Sequence, residues 1–234
     1  MRILGIDFES TGLDPQKDCI TEVGLVLWES ETKQPVRISG FLVKQVSPIS
    51  AEITALTGIT SEMCANFGLS SVQALMAIQS LADQADYIVA HNAPFDRGFY
   101  EAECARQGKS PSAKPWIDTA VDMPKEAYAL GKSRSLKYWA CDHAFTYPAH
   151  RAVNDVLAML EIFGRYDLDT IIKRAHTPNI QVRAVVSFDD RNLAKERSYY
   201  WRPEAKLWTK FLKEDEVDLE KSQAPFPVVV MEAL

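Results

Sequence analysis

The hydrophobic pattern changes its period partway along the chain, and this change constrains the fold more than any other feature. Three early segments, RILGIDF (2–8), ITEVGLVLW (20–28) and VRISGFLV (36–43), are rich in β-branched, leucine and aromatic residues, and turn-like stretches separate them. They predict three strands. Connections this short favour antiparallel pairing of neighbouring strands.

The next part of the chain follows a helical period. In SVQALMAIQSLADQ (71–84), Leu75, Ile78 and Ala82 fall three or four residues apart, as one buried helix face requires. A brief apolar run at 87–90 predicts a buried strand, and further helices are expected at 94–107, 119–128, 135–142 and 152–174. Together these elements indicate an α/β fold, with a mixed sheet flanked by helices.

Composition and charge are those of an ordinary globular protein. Of 234 residues, 47% are hydrophobic and 25% are charged, and the net charge is −6. This balance argues against a strongly basic nucleic-acid binder, although carboxylate clusters add negative charge and binding needs only a local basic patch. The four cysteines lack the spacing of a zinc site or a disulfide framework. With no signal-peptide pattern and no apolar window of about 20 residues, we expect a cytoplasmic protein that does not enter a membrane.

Carboxylates recur where predicted elements begin or end. Asp7 and Glu9 lie at the end of the first strand and point to the same face, because strand side chains alternate. Asp96 falls in the first turn of a predicted helix, and His150 and Asp155 lie around the start of another. Each feature alone has an ordinary explanation: a strand that ends in a polar loop, an acid at a helix start, or a surface histidine.

The conjunction of these residues predicts a metal site. Carboxylates placed in this way can converge on one end of the sheet, and adjacent carboxylates raise each other's pKa unless a cation lies between them. Two Mg²⁺ ions about 4 Å apart can clamp the attacking and leaving oxygens of a phosphodiester. A nearby histidine can accept the proton of the attacking water.

The three segments resemble the Exo I, Exo II and Exo III motifs of the DEDDh, or DnaQ-like, 3′–5′ exonucleases. The matching strings are IDFESTGLD (6–14), VAHNAPFD (89–96) and HRAVNDV (150–156), with secondary matches in TALTGIT (54–60) and at 116–119. The resemblance covers roughly residues 1–175. It implies a ribonuclease H-like fold, with a five-stranded mixed sheet flanked by helices, and release of 5′-mononucleotides from a 3′ end.

The resemblance also implies a role for each motif residue. Asp7 would bridge two Mg²⁺ ions, for which Mn²⁺ would substitute; Glu9 and Asp155 would complete the first metal site and Asp96 would support the second. His150 would be the general base. In one small departure from the family, Ser10 follows the glutamate where threonine is commoner.

Several other residues are candidates for substrate contacts. Leu56 matches the position of an apolar wedge against the terminal bases, or else packs a helix onto the sheet. Asn92 could bind the 3′ end or cap the following helix. Ser10, Thr11 and Phe95 lie within the motifs, and Arg134 and Lys137 could contact phosphate or remain solvated surface charges.

The C-terminal part of the chain predicts a separate accessory module. Beyond a linker at 176–179, we expect a basic and aromatic module at 180–220 and an extended tail at 221–234. Strands are expected at 182–188, 199–201 and 207–212, with a helix at 189–197. Its cations and rings could form a nucleic-acid surface; alternatively, Trp201 and Trp208 could form the core of the module.

The predicted substrate is DNA, with RNA or short oligonucleotides as the alternative, because metals bound to phosphate do not distinguish the sugars. A function of a different class, a non-catalytic subunit that binds nucleic-acid ends beside a polymerase or another protein, is also open at this stage. Neither the physiological partner nor the oligomeric state follows from the sequence.

Overall fold

The structure is a computed structural model that describes residues 1–45, 47–128 and 135–231. The chain divides into two units, Met1–Ile172 and Lys173–Leu234. We call them the N-terminal unit and the C-terminal module. The division falls close to the boundary expected near residue 175.

A five-stranded mixed sheet forms the centre of the N-terminal unit, as predicted. Its strands run in the order β3-β2-β1-β4-β5. The β1–β2 and β2–β3 pairs are antiparallel, whereas β4 pairs parallel with β1 and β5 pairs parallel with β4. The strand bounds are β1 Arg2–Ser10, β2 Ile20–Glu29, β3 Gln34–Leu42, β4 Tyr87–Ala90 and β5 Trp116–Asp118.

Helices flank this sheet. Ile6 and Phe8 of β1 lie in one apolar core with Leu75 and Ile78 of α3 and Phe99 of α4. The helix bounds are α1 Ala51–Thr57, α2 Ser61–Phe67, α3 Ser71–Ala82, α4 Ala93–Arg106, α5 Leu136–Asp142, α6 Ala152–Phe163 and α7 Leu168–His176.

Helix α6 lies close against the sheet because two strand positions lack side chains. A β-carbon at Gly24 of β2 would collide with the backbone of Ala152, and one at Gly5 of β1 would collide with Val156. Gly24 is also the direct partner of Asp7 across the β1–β2 ladder. This close approach brings the first turn of α6 next to the strand that carries Asp7.

Two of the helix predictions were wrong in extent. Residues 119–128 form a turn and then a short 3₁₀ helix at Lys125–Tyr128. The Asp118 carboxylate accepts from the Ala120 N–H at 2.9 Å, which offers the backbone an alternative to a helix. The helix expected at 152–174 ends at Phe163, and a new one begins at Leu168, where Asp167 accepts from the Thr170 N–H at 2.9 Å.

The C-terminal module is a four-stranded antiparallel sheet in the order β7-β8-β6-β9. Its core includes Val182, Tyr199, Leu212 and Phe226. The bounds are β6 Asn179–Ala184, α8 Arg191–Glu196, β7 Tyr200–Arg202, β8 Leu207–Lys213, α9 Val217–Gln223 and β9 Val228–Val230.

The last residues differ from the extended tail expected at 221–234. Gln223 ends α9, Phe226 packs in the core against Tyr199, and Val228–Val230 add an edge strand to β6. A β-branched run can pair with the open edge of β6, and this pairing explains the difference. The module therefore continues to residue 231 in the described part of the chain.

Among the described residues, no helix has the length and apolar character needed to cross a membrane.

Candidate active site

The structure brings the predicted carboxylates together. Asp7 and Glu9 share one face of β1, and Asp155 lies in the first turn of α6. One carboxylate oxygen from each of these three residues lies within 4.8 Å of the other two. Asp96, in the first turn of α4, is only 1% exposed and accepts from the Phe8 N–H at 3.0 Å.

The cluster is electrostatically unfavourable without a cation. Burial raises the pKa of Asp7 well above its ordinary value, and the charges of Asp96, Asp155 and Glu9 raise it further. Burial, followed by the charges of Asp155 and Glu22, raises the pKa of Glu9 to about 7. A hard divalent cation bound by carboxylate oxygens would remove this repulsion. The donor set therefore fits Mg²⁺ or Mn²⁺.

Asp155 is oriented by neutral hydrogen-bond donors. Tyr147 donates its hydroxyl to Asp155 Oδ1 at 2.7 Å, and the Arg151 N–H donates to Oδ2 at 3.0 Å. Burial still raises the pKa of Asp155, although both hydrogen bonds and the nearby His150 act in the opposite direction. Sequence reasoning missed Tyr147, because a tyrosine in a loop gives no signal of which acid it will contact.

His150 is exposed and lies two residues before the start of α6, with a left-handed φ of 66°. The next residue is anchored to β2. Arg151 contacts Glu22 through Nη2 at 2.6 Å and Nε at 3.1 Å, and the Ala152 N–H donates to Glu22 Oε2 at 2.9 Å. Glu22 thus fixes the chain between His150 and Asp155.

Glu22 is the second residue that the sequence analysis did not identify. Its side chain is 7% exposed, and it lies directly opposite Glu9 in the β1–β2 register. A signal was present, since Glu22 is the charged residue within the segment ITEVGLVLW, which is mostly apolar. A buried carboxylate needs a partner, but the sequence does not show that Arg151 is that partner.

Two candidate substrate contacts have accessible side chains. Leu56 of α1 is 53% exposed, which does not fit the alternative that it packs a helix onto the sheet. Asn92 is exposed and its backbone has a left-handed conformation. In the described structure its side chain makes no capping hydrogen bond to α4. Its N–H donates to Asp118 Oδ1 at 2.9 Å.

Three other candidates have side chains that are occupied within the fold. Ser10 donates its hydroxyl to the Gly12 carbonyl at 2.5 Å. The Thr11 hydroxyl lies 3.2 Å from an Asp18 carboxylate oxygen. Phe95 is half-buried and its ring centroid lies 4.8 Å from that of Phe99. Lys137 is exposed on α5, and Arg134 lies outside the described residues.

Comparison with known proteins agrees with this fold. Residues 4–163 match the model of the RNase_T exonuclease family, and residues 180–231 match a family described as a domain of unknown function. The chain belongs to the RNase_T exonuclease family, and residues 4–163 form an exonuclease-family domain of the DnaQ-like DEDDh type.

Two curated relatives are DNA polymerase III proteins. The chain is 32% identical over 161 residues to DNA polymerase III PolC-type of Ureaplasma parvum, a match that covers 67% of this chain and 11% of the relative. It is 28% identical over 159 residues to DNA polymerase III subunit epsilon of Treponema pallidum, covering 67% of this chain and 72% of the relative. The chain thus corresponds to about a tenth of the PolC-type protein.

Solved structures show the same fold at low identity. The zinc-bound form of the E. coli ExoI–ssDNA complex superposes with a TM-score of 0.68 at 16% identity, covering 91% of this chain and 62% of that one. The nuclease domain of 3′hExo, a DEDDh family member bound to rAMP, gives a TM-score of 0.58 at 20% identity, covering 70% and 90%.

Proposed function

We propose that the protein is a metal-dependent exonuclease that hydrolyses DNA from the 3′ end and releases 5′-mononucleotides. The observation that carries this proposal is the cluster of Asp7, Glu9 and Asp155 oxygens within 4.8 Å, in a chain of the exonuclease family. Such a cluster can hold the divalent ions that phosphodiester hydrolysis uses, whereas without a cation its carboxylates repel one another.

Four carboxylates would hold two divalent ions in this proposal. Asp7 would contact both ions, Glu9 and Asp155 would complete one site, and Asp96 would support the other. When bound, the ions supply positive charge that acidifies the attacking water and neutralises the phosphodiester as charge develops on it. The buried position of Asp96 and its bond from the Phe8 N–H fix its side chain in place.

His150 would act as the general base. In this role its exposed ring would accept the proton of the attacking water and pass it to solvent after each cycle. The Glu22–Arg151 ion pair anchors the residue next to it.

Leu56 and Asn92 would hold the 3′ end. An exposed apolar side chain such as Leu56 can lie against a terminal base, and this contact tolerates any base. The accessible amide of Asn92 can hydrogen-bond a terminal hydroxyl. Ser10, Thr11 and Phe95, whose side chains make contacts within the fold, would shape the site through backbone and packing.

DNA is the favoured substrate, since the curated relatives are named as DNA polymerase III proteins and one structural neighbour holds ssDNA. RNA is the alternative, because another neighbour is bound to rAMP. Association with a polymerase is a further expectation from the relatives' names. A cytoplasmic location fits four cysteines that are all free.

A gel time course tests the proposal. Matched 5′-labelled single-stranded DNA, duplex DNA and RNA are incubated with Mg²⁺, Mn²⁺ or EDTA. We expect a ladder that shortens from the 3′ end, fastest on DNA and absent with EDTA. If all three labels stay full-length with either metal, while the strands are still bound, the site serves end binding and the proposal is wrong.

A further inference from the structure

The C-terminal module contains a groove that its own core does not explain. Twelve residues line a space of about 630 Å³, a size typical of pockets for ligands as large as a nucleotide. We call it the aromatic groove. Its lining is Arg183, Ala184, Val185, Val186, Ser187, Phe188, Arg191, Lys195, Trp201, Lys206, Leu207 and Trp208.

The rings of the groove are accessible. Phe188 is 77% exposed and Trp201 is 45% exposed, while the core of the module is built around Tyr199 and Phe226. Of the three groove rings, only that of Trp208 packs against this core, and its centroid lies 5.5 Å from that of Trp201. The expectation that both tryptophans form the core therefore fails for Trp201.

The groove is positively charged. Arg183, Arg191, Lys195 and Lys206 line it, and no acid does. Elsewhere in the module several cations form ion pairs: Arg174 pairs with Glu216, and Arg197 and Lys210 pair with Glu220.

None of the four groove cations forms an ion pair with a described carboxylate. Instead, the Arg191 guanidinium lies 4.0 Å from the Phe188 ring centroid, and Lys195 Nζ lies 5.8 Å from the Trp208 ring centroid. These cations therefore remain available to an anionic ligand.

We infer that the aromatic groove is a binding site for single-stranded nucleic acid. The free bases of a single strand can stack on the exposed rings, whereas the bases of a duplex are already paired and stacked. The phosphates can contact the groove cations, which have no carboxylate partner among the described residues. A purely acidic peptide would satisfy the cations but leave Phe188 and Trp201 without a flat partner. The inference concerns binding alone and does not depend on cleavage by the carboxylate cluster.

Fluorescence anisotropy of a 5′-labelled twenty-nucleotide oligo-dT or oligo-rU, measured on the full chain in EDTA, tests this inference. We expect Trp201→Ala and Phe188→Ala each to weaken binding about fivefold or more, as loss of a stacking platform does. The matched control is Tyr200→Ala, which removes a 64% exposed ring of the same module outside the groove.

Charge variants make the test independent of ring packing. Arg191→Gln and Lys206→Gln should each reduce the slope of log affinity against log salt by about 0.7, the value for one phosphate contact on a single strand. Lys221→Gln, outside the groove, should leave the slope unchanged. The inference is overturned if the ring variants bind as tightly as Tyr200→Ala does and the charge variants keep the salt slope of wild type. It is also overturned if poly-glutamate or duplex DNA displaces the labelled strand as effectively as an unlabelled single strand does. Because cleavage is absent in EDTA, failure here leaves the proposed exonuclease untouched.

Discussion

At the scale of single residues, Glu9 links the proposed chemistry to stability. Its pKa rises from 4.5 to about 7 in the folded protein, mainly through burial. The folded state thus holds this proton more tightly than the unfolded chain does. The resulting stabilisation is fully present below pH 4.5 and is lost as the pH rises through 7.

Metal-free protein should therefore lose thermal stability between pH 5 and pH 8, and Glu9→Gln should lose less because glutamine cannot ionise. Thermal unfolding in EDTA measures this difference. Glu161→Gln, which removes an exposed glutamate of α6, serves as the control and should behave as wild type. Equal losses in wild type and Glu9→Gln would show that Glu9 ionises in the fold without penalty.

Added metal should reverse the loss. Mg²⁺ or Mn²⁺ binds the ionised carboxylates, so it should raise the unfolding temperature of wild type more at pH 8 than at pH 5. Asp7→Asn should show little of this rise, since Asp7 is central to the cluster. A full metal-dependent rise in that variant would place the ions elsewhere.

His150 gives a second residue-scale prediction. His150→Ala should reduce the turnover rate roughly 10²–10⁴-fold, the usual contribution of a general base. The fold should be unaffected because the side chain is exposed. The shape of the pH–rate profile should also change in the variant, and an unchanged profile would count against the role. His176→Ala, which replaces a histidine outside the motifs, should keep both the rate and the profile of wild type.

At the scale of elements, the Glu22–Arg151 pair joins β2 to the start of α6. Glu22 is not part of the carboxylate cluster. Its contacts with Arg151 and Ala152 hold in place the segment that carries His150 and Asp155, so the pair acts as a positioning element. Partners that orient ligands in this way typically change metal affinity or activity about 10–100-fold when removed.

Glu22→Gln should therefore lower Mn²⁺ affinity and turnover by about 10–100-fold, with little change in the KM for single-stranded DNA. A titration of activity against Mn²⁺ separates this effect from general destabilisation, because saturating metal should recover part of the rate. Glu161→Gln breaks the other Glu–Arg pair of α6 and should have no effect. A proportional loss at all metal concentrations, accompanied by a lower unfolding temperature, would indicate a merely structural role.

The elements also show what sequence alone could predict. The bounds of strands β1, β2 and β4 were predicted to within two residues, because a buried strand is a nearly continuous run of apolar residues. Helices α1 and α2 were not predicted, since each has seven residues and mostly exposed side chains. A period of 3.6 residues is not readable over so short a segment.

The same contrast holds for the site. The carboxylate cluster could be predicted because strand alternation places Asp7 and Glu9 on one face and the family motif that contains Asp155 implies that it joins them. Glu22 and Tyr147 could not, because their contacts depend on the β1–β2 register and on the close approach of α6 at Gly24. Those are tertiary facts that no local pattern contains.

At the scale of the whole molecule, charge is distributed unevenly. The net charge is −6, yet the aromatic groove has four cations and no acid. A strand long enough to engage the groove and the catalytic site should bind more tightly than a trinucleotide that engages the catalytic site alone. The advantage should depend on salt.

The KM of the full chain for a twenty-nucleotide oligo-dT should therefore rise steeply between 50 and 200 mM salt, whereas the KM for oligo-dT of three nucleotides should change much less. The Arg191→Gln, Lys206→Gln double variant should bring the two salt dependences closer together. Parallel salt dependences in wild type would show that the groove does not contribute to substrate binding during turnover.

The identity of the first product tests the central claim most directly. A single strand labelled on its 3′-terminal nucleotide is mixed with the protein and Mg²⁺, and the earliest released species is identified by mass spectrometry, with Asp7→Asn and EDTA as parallel reactions. The proposed mechanism predicts the 3′-terminal nucleoside 5′-monophosphate as the first product, and none in either parallel reaction. Release of internal fragments or of the 5′-terminal nucleotide, or equal release by Asp7→Asn, would contradict it.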